Sequence, residues 1–336
     1  MKTTSASLSS FRKFNVLNGL LVWFLVTSSS YASAEIDWLA ASWDNDVFAG
    51  KDGGGYTNGI YFSWGQRNEQ GEEITKPPIL TLPLSWMLGD DPTYAYKLHS
   101  LGQAMVTPED ITKEIPDPFD APYAGLLFWR SSYVVVKNDF ADQVATLVGI
   151  VGPSSGAEEV QKFVHDLVGA DDPMGWEYQL EDEFIWQLQR TAVWRFSTTD
   201  SSPVDAVLLA DLAVGNLESS AGAGLFLRAG SGLASSYSTM SFLGSRVSTP
   251  VAVSEGWYMY LGGTANYVHN QILVDGREFE ASASNNLEHY QYSLMAGVTY
   301  AWKRASICLS YQSDTNPDES ETARKNFGAI TLSFQI

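Results

Sequence analysis

Three groups of residues have the types and spacing for chemistry. In the first, Trp43-Asp44-Asn45-Asp46 is followed by Asp52-Gly53-Gly54-Gly55-Tyr56-Thr57-Asn58-Gly59. Carboxylate, amide and hydroxyl oxygens in a glycine-rich loop suit a hard cation such as Ca²⁺. The plainer reading is an acidic hairpin loop with turn glycines, and the twelve-residue EF-hand pattern is missing. In the second, Gln161 and His165 stand four residues apart, with Asp171 and Asp172 close behind. At helical spacing the two share a face. An imidazole there can take a proton from water while a nearby cation holds a developing oxyanion, although a histidine on a helix is more often structural. The other histidines are His99, His269 and His289. In the third, Gly152-Pro153-Ser154-Ser155-Gly156 satisfies G-x-S-x-G. A nucleophile elbow belongs in a parallel α/β sheet, and no βαβ unit surrounds this one, so Ser154 and Ser155 read as a turn and a helix N-cap.

These residues have to be positioned by strands and one helix. Ser155 and Glu158 fit an S-x-x-E capping box, and Val160, Phe163, Val164 and Leu167 form an apolar stripe at helical spacing. A short helix over 157–168 is therefore expected, packed by that stripe on the rim of a larger body. The remainder alternates. Tyr290, Tyr292, Leu294, Ala296, Val298, Tyr300 and Trp302 fall on one face of a strand, with polar and small residues on the other. The same pattern recurs over 257–267, 305–311 and 328–336. Weaker candidates lie near 36–48, 58–68, 94–106, 123–137, 142–152, 183–197, 204–216, 222–234 and 269–282. Several runs reach the length a tilted strand needs to cross lipid, with aromatics at their ends. The expectation is an all-β, antiparallel up-and-down transmembrane barrel of about 12 strands. A soluble β-sandwich also alternates, but its strands average only about 5–6 residues.

The N-terminus points to export. Lys2, Arg12 and Lys13 precede a short apolar core from Val16 to Val26, and Ala32-Ser33-Ala34 is a signal-peptidase pattern. Residues 1–34 are read as a cleaved signal peptide and 35–336 as a single outer-membrane barrel domain of a Gram-negative cell. Removing the three positive charges of the leader takes the formal charge from −19 to −22. That acidity argues against a nucleic-acid partner, which is bound through a surplus of Lys and Arg. Cys308 is the only cysteine, so no intramolecular disulfide forms.

The sequence resembles the outer-membrane lipid A 3'-O-deacylase family. The likeness rests on ordered blocks: Asn45-Asp46, Tyr56-Thr57-Asn58-Gly59, Thr107-Pro108-Glu109-Asp110 and Pro122-Tyr123-Ala124-Gly125. They continue with Gly152-Pro153, Val160-Gln161-Lys162-Phe163-Val164-His165, Gly169-Ala170 and Gly175-Trp176-Glu177-Tyr178-Gln179-Leu180. The resemblance implies a twelve-stranded barrel whose site lies between the wall and a helix at outer-leaflet level. It implies Ca²⁺-dependent hydrolysis of the ester holding the 3'-linked acyloxyacyl chain of lipid A. By position, His165 would be the general base, Asp46 a Ca²⁺ ligand with Asn45 and Thr57 beside it, and Asp171 a further acidic ligand. Gln161 would line the site, and Lys113 would contact the substrate phosphate or the oxyanion. Lipopolysaccharide and outer-membrane lipids are the implied partners, with no stable protein partner. Two other readings remain: an outer-membrane phospholipase, and a non-enzymatic barrel serving as porin or adhesin.

Overall fold

The computed structural model describes residues 36–49, 55–68, 76–118, 120–243, 246–248, 255–276 and 285–336. The expected signal peptide lies outside them. Twelve strands close into one antiparallel barrel: β1 (Trp38–Asn45), β2 (Gly55–Asn68), β3 (Tyr94–Thr107), β4 (Ala124–Lys137), β5 (Phe140–Val151), β6 (Glu183–Phe196), β7 (Val204–Gly215), β8 (Glu218–Gly230), β11 (Gly256–Gln271), β12 (Tyr290–Trp302), β13 (Ala305–Asp314) and β14 (Lys325–Gln335). A small separate hairpin, β9 (Ser241–Leu243) and β10 (Arg246–Ser248), lies between β8 and β11. Pairing of β1 with β14 closes the sheet, which removes the edges that a membrane-spanning sheet cannot leave open.

The alternation of β12 is as the sequence predicts: Tyr290, Tyr292, Leu294, Val298, Tyr300 and Trp302 are exposed, while Gln291, Ser293, Met295 and Thr299 are buried. Two-residue turns at Asn138-Asp139 and Lys303-Arg304 mark the end that carries both termini, and Asn138 and Lys303 take positive φ (54° and 52°) as tight hairpins require. The opposite end carries the long connections 108–123, 152–182, 272–289 and 315–324. The terminal end also carries the 69–93 and 231–255 connections, so its two tight turns, not loop length alone, mark it as the periplasmic side, where such turns belong.

The inside is packed. At the terminal end Trp38, Tyr96, Phe226 and Met295 meet Tyr237 and Met240 of the β8–β9 connection. At the outer end Tyr61, Phe128, Leu147 and Ile185 meet Leu180 and Ile272. Each such side chain contributes about 1.5–3 kcal/mol by its burial. Asp205 ties down the periplasmic connections. It accepts from Arg195 Nε at 2.8 Å and from Arg228 Nε and Nη2 at 2.8 and 2.6 Å, and Arg228 also donates to the Leu233 carbonyl at 2.8 Å.

Three expectations change. The expected 269–282 strand does not extend over 272–276. Instead β11 runs on to Gln271 through a bulge at Val268/Asn270, and a single turn, α3 (Ile272–Asp275), follows. Asp275 Oδ2 accepts the Gln271 amide at 3.1 Å and closes that turn; residues 277–282 lie outside the described set. The helix α2 spans Ala157–Val168 as expected, but Ser155 is not its N-cap. Ser155 belongs to a 3₁₀ turn, Pro153–Ser155, and the cap is Gly156 at φ 70°. Glu158 pairs with Lys162 at 2.6 Å. Finally, the apolar stripe does not all pack inward, because Phe163 and Leu167 are 63% and 75% exposed.

Candidate active site

Residues directly opposite each other in an antiparallel pair share a face. The registers Gly328↔Asn45, Asn45↔Asn58, Asn58↔Met105 and Met105↔Gly125 therefore place these five residues in one row near the outer end. Trp43 and Leu39, which alternate with Asn45 along β1, are 43% and 42% exposed. The row is on the outer wall, not in the lumen.

Glycines bound the row. A Cβ at Gly125 would overlap Ser155 Oγ and press on Ala157, and one at Gly328 would press on Phe48. Without side chains at these points the start of α2 settles on one end of the row and Phe48 on the other. Between them Asn45 and Asn58 floor a groove and Met105 is covered by the start of α2; the two glycines stand four strand spacings, about 19 Å, apart at about 4.8 Å per strand.

The helix is held by a cluster of Met105, Tyr123, Ala157 and Trp176, with Val160 and Ile111 against it. Tyr123 and Trp176 rings lie 4.9 Å apart. The Tyr123 hydroxyl donates to the Ile111 carbonyl at 3.2 Å, and Gln103 Nε2 donates to the Ser155 carbonyl at 2.8 Å. Gly175 leaves room for the Tyr123 ring and Pro116, which accounts for its place in the Gly175-Trp176 block.

Two polar contacts set the face that carries Gln161 and His165. Trp176 Nε1 donates to Gln161 Oε1 at 2.8 Å. An indole N–H can only donate, so the amide oxygen is fixed toward Trp176 and the NH₂ points away; Gln161 is buried and its Nε2 has no hydrogen-bond partner. His165, one turn on, is half-buried, and its Nδ1 lies 2.6 Å from the Asp171 carbonyl oxygen. The Asp171 side chain is exposed. Lys113, in the β3–β4 connection at the same end, stands 3.8 Å from Asp110. The Thr112 hydroxyl, then its amide, then Lys113 hold the Asp110 carboxyl below its usual range.

Asn45 and Asp46 lie at the outer end of β1, with Asp46 6% exposed. Around them, Tyr56 Oη donates to Asp44 Oδ2 at 3.4 Å and meets Tyr61 Oη at 2.7 Å. A Cβ at Gly59 would overlap both hydroxyls, so Gly59 of the Tyr56-Thr57-Asn58-Gly59 block is a packing requirement. Thr57 sits in a bulge between Tyr56 and Asn58, and its side chain is outside the described set. Asn58 is buried, and its Oδ1 has no donor. An unpartnered amide oxygen opposite Asn45 and near a buried carboxylate fits the oxygen chemistry of Ca²⁺. Among the described residues no three His, Cys, Asp or Glu side chains gather as metal ligands, so amide, hydroxyl or backbone oxygens would have to complete such a shell. Met105 and Phe48 carry no signal in the sequence; Asn58 stands there only as a member of the glycine-rich loop, and Trp176 only as a member of its block. The glycines Gly125 and Gly328 become meaningful once the register is known.

Among solved structures, LpxR from Salmonella typhimurium matches with a TM-score of 0.70 at 16% identity, over 89% of this chain and 100% of that one. The β domain of the Bordetella autotransporter BrkA matches at 0.44 and 11% identity, over 90% and 99%. The translocator domain of NalP from Neisseria meningitidis matches at 0.38 and 10% identity, over 99% and 100%. At those scores the last two carry no argument. No curated protein sequence matches the chain. The family model described as outer membrane protein LpxR covers residues 20–336. A twelve-stranded closed barrel with a helix on its outer wall, matched along nearly its whole length, belongs to the LpxR family of outer-membrane proteins.

Proposed function

We propose that the protein is a lipid A deacylase of the outer membrane, and that it hydrolyses the ester of the 3'-linked acyloxyacyl chain with the help of Ca²⁺. The observation that carries the reading is the His165 contact with Asp171. A carbonyl oxygen only accepts, so the ring proton sits on Nδ1 and the Nε2 lone pair is left to act as a base. Nε2 takes a proton from a water molecule as its oxygen attacks the ester carbonyl, then returns it to the leaving oxygen. Gln161, held by Trp176, presents its NH₂ as a donor at the site, and Lys113 meets anionic groups of the substrate. Bound beside Asp46, Asn45, Asn58 and Thr57, Ca²⁺ would supply charge stabilisation for the oxyanion of the tetrahedral state.

The groove on the outer wall supports a substrate that stays within the leaflet. The packed interior speaks against the porin reading, since Trp38, Tyr96, Phe226 and Tyr237 fill the lumen where a channel would run.

Mass spectrometry of lipid A from cells expressing the wild type or His165→Ala tests the proposal, with isolated membranes assayed in Ca²⁺ and in EDTA. Loss of an acyloxyacyl unit that needs both His165 and Ca²⁺ is the expected result. Unchanged lipid A in a folded barrel would sink the proposal, and deacylated glycerophospholipid would replace it with the phospholipase reading.

A further inference from the structure

From Lys76 onward the β2–β3 connection lies against the outer wall. It contains a 3₁₀ turn (Ile79–Thr81) and α1 (Leu82–Ser85). Leu84, Met87 and Leu88 pack on Ala95, Tyr133, Val135 and Val144, outward-facing residues of β3–β5 that would otherwise meet lipid. Thr146 Oγ1 donates to the Leu80 carbonyl at 2.7 Å, and Arg190 Nη2 to the Met87 carbonyl at 3.0 Å. Thr146 is six residues along β5 from Phe140, about 15 Å up the barrel axis at 3.4 Å per residue and a tilt of about 40°. The apolar band of such barrels is only about 25 Å tall, so this strap reaches the depth of the band.

Its side chains suit that depth. Ile79, Leu82 and Trp86 point away from the wall and are 80%, 50% and 79% exposed. Every polar side chain from Ile79 to Leu88 turns back on the strap: Thr81 Oγ1 donates to Pro78 O, Ser85 Oγ to Leu82 O, and Trp86 Nε1 to Pro83 O. The Ile79, Leu84 and Ser85 carbonyls accept amides of the strap itself. With the bonds from Thr146 and Arg190, eight of the ten carbonyls from Pro78 to Met87 have donors. Pro78 and Pro83 have no N–H to satisfy. A loop bathed in water has no need of this, because water serves its backbone. In hydrocarbon an unpaired backbone group costs several kcal/mol, and irregular chain survives only where protein satisfies it.

We infer that Pro78–Leu88 is a re-entrant strap immersed in the periplasmic leaflet, with Ile79, Leu82 and Trp86 packed against phospholipid acyl chains. The strap is continuous with the lipid-facing band of the strands and stands apart from the proposed catalytic groove at the other end. It makes the inner-leaflet phospholipid a partner of this face, and it shields the outward Ser131, Thr146 and Asp142 from lipid.

The test uses the full barrel in phospholipid vesicles, in a Cys308→Ala background. Nitroxide labels are placed on Leu82→Cys and, separately, Trp86→Cys. Leu294→Cys on the lipid-facing wall and Asp90→Cys just beyond the strap serve as references, and heat-modifiable electrophoretic mobility verifies folding of each. Collision rates with oxygen, which concentrates in hydrocarbon, are compared with those of a water-soluble nickel complex. Ratios at 82 and 86 that follow Leu294 are expected. Ratios that follow Asp90 would place the strap in periplasmic water and overturn the inference. Labels shielded from both reagents would mean a protein partner or second copy covers the face, and would overturn it equally. Thr146→Val gives a further reading: label motion at 82 should rise while the barrel stays folded.

Discussion

The ring of His165 and the backbone of Asp171 are joined at 2.6 Å, Nδ1 to carbonyl oxygen. The contact uses nothing of the Asp171 side chain, which is exposed. Asp171→Ala should therefore leave the imidazole oriented and change the rate by no more than about 0.5 kcal/mol, the usual range for a surface change. His165→Ala should abolish acyl release. If Asp171→Ala proves as inactive as His165→Ala at saturating Ca²⁺, its carboxylate serves the metal, as the family resemblance implies.

Gly125 tests the seating of the helix. Its missing Cβ is the space taken by Ser155 and Ala157. Gly125→Val should push α2 off the wall, so acyl release should fall steeply while the barrel keeps its resistance to unfolding in detergent. Full activity in Gly125→Val would mean that the helix–wall distance does not matter to the chemistry.

Calcium dependence should run through Asp46. Asp46→Asn keeps the size and one oxygen but loses the charge. It should raise the Ca²⁺ concentration for half-maximal activity by at least about tenfold, or ~1.4 kcal/mol, with the maximal rate largely recovered at high Ca²⁺. A titration that superimposes on the wild type would remove Asp46 from the ligand set.

The lumen offers a test independent of catalysis. Asp205 is buried between Arg195 and Arg228, and removing one partner from such a cluster costs about 3–5 kcal/mol. Asp205→Ala should lower the thermal midpoint and loosen the Tyr237–Met240 plug. In planar bilayers the wild type should show no steady conductance and the variant intermittent openings. Steady wild-type channels would contradict a filled interior.

Alkaline pH should loosen the helix through Tyr123. Burial pushes its phenol above the ordinary range, so the native state keeps this proton where the unfolded chain has lost it. The contribution is then complete below about pH 10 and is lost as pH rises through the native value. Tyr123→Phe should cost on the order of 1 kcal/mol at neutral pH and abolish the alkaline loss. Tryptic cleavage after Lys162 in α2, followed against pH, would report both.

Much of this could be read from the chain. Alternation over 290–302 gave a strand and its lipid-facing side, because side chains on a pleated strand can only alternate. The 3.6-residue pattern gave α2 to its last residue and put Gln161 beside His165. Periodicity failed at its ends and at long range. It could not distinguish Ser155 from Gly156 as the cap, since a left-handed glycine serves as well as a hydroxyl. It read 269–282 as strand because the bulge at Val268/Asn270 has no composition of its own. The row from Gly328 to Gly125 joins residues about 200 positions apart and exists only through register. The strap was hidden for a different reason: Pro-Pro-Ile-Leu-Thr-Leu-Pro-Leu has neither period, so its apolar content carried no direction.

Because the groove lies on the outside of the wall, the lipid proposed as its substrate would not arrive from solution. It would reach Asn45 and α2 by drifting sideways in the leaflet, so the encounter would be a collision in two dimensions. Its frequency is set by the mole fraction of substrate per unit area and by membrane viscosity, not by molarity. Turnover in mixed vesicles should then scale with surface dilution at constant bulk lipid. Rates compared between detergent micelles and intact membranes would describe different encounter problems, even with identical chemistry at His165.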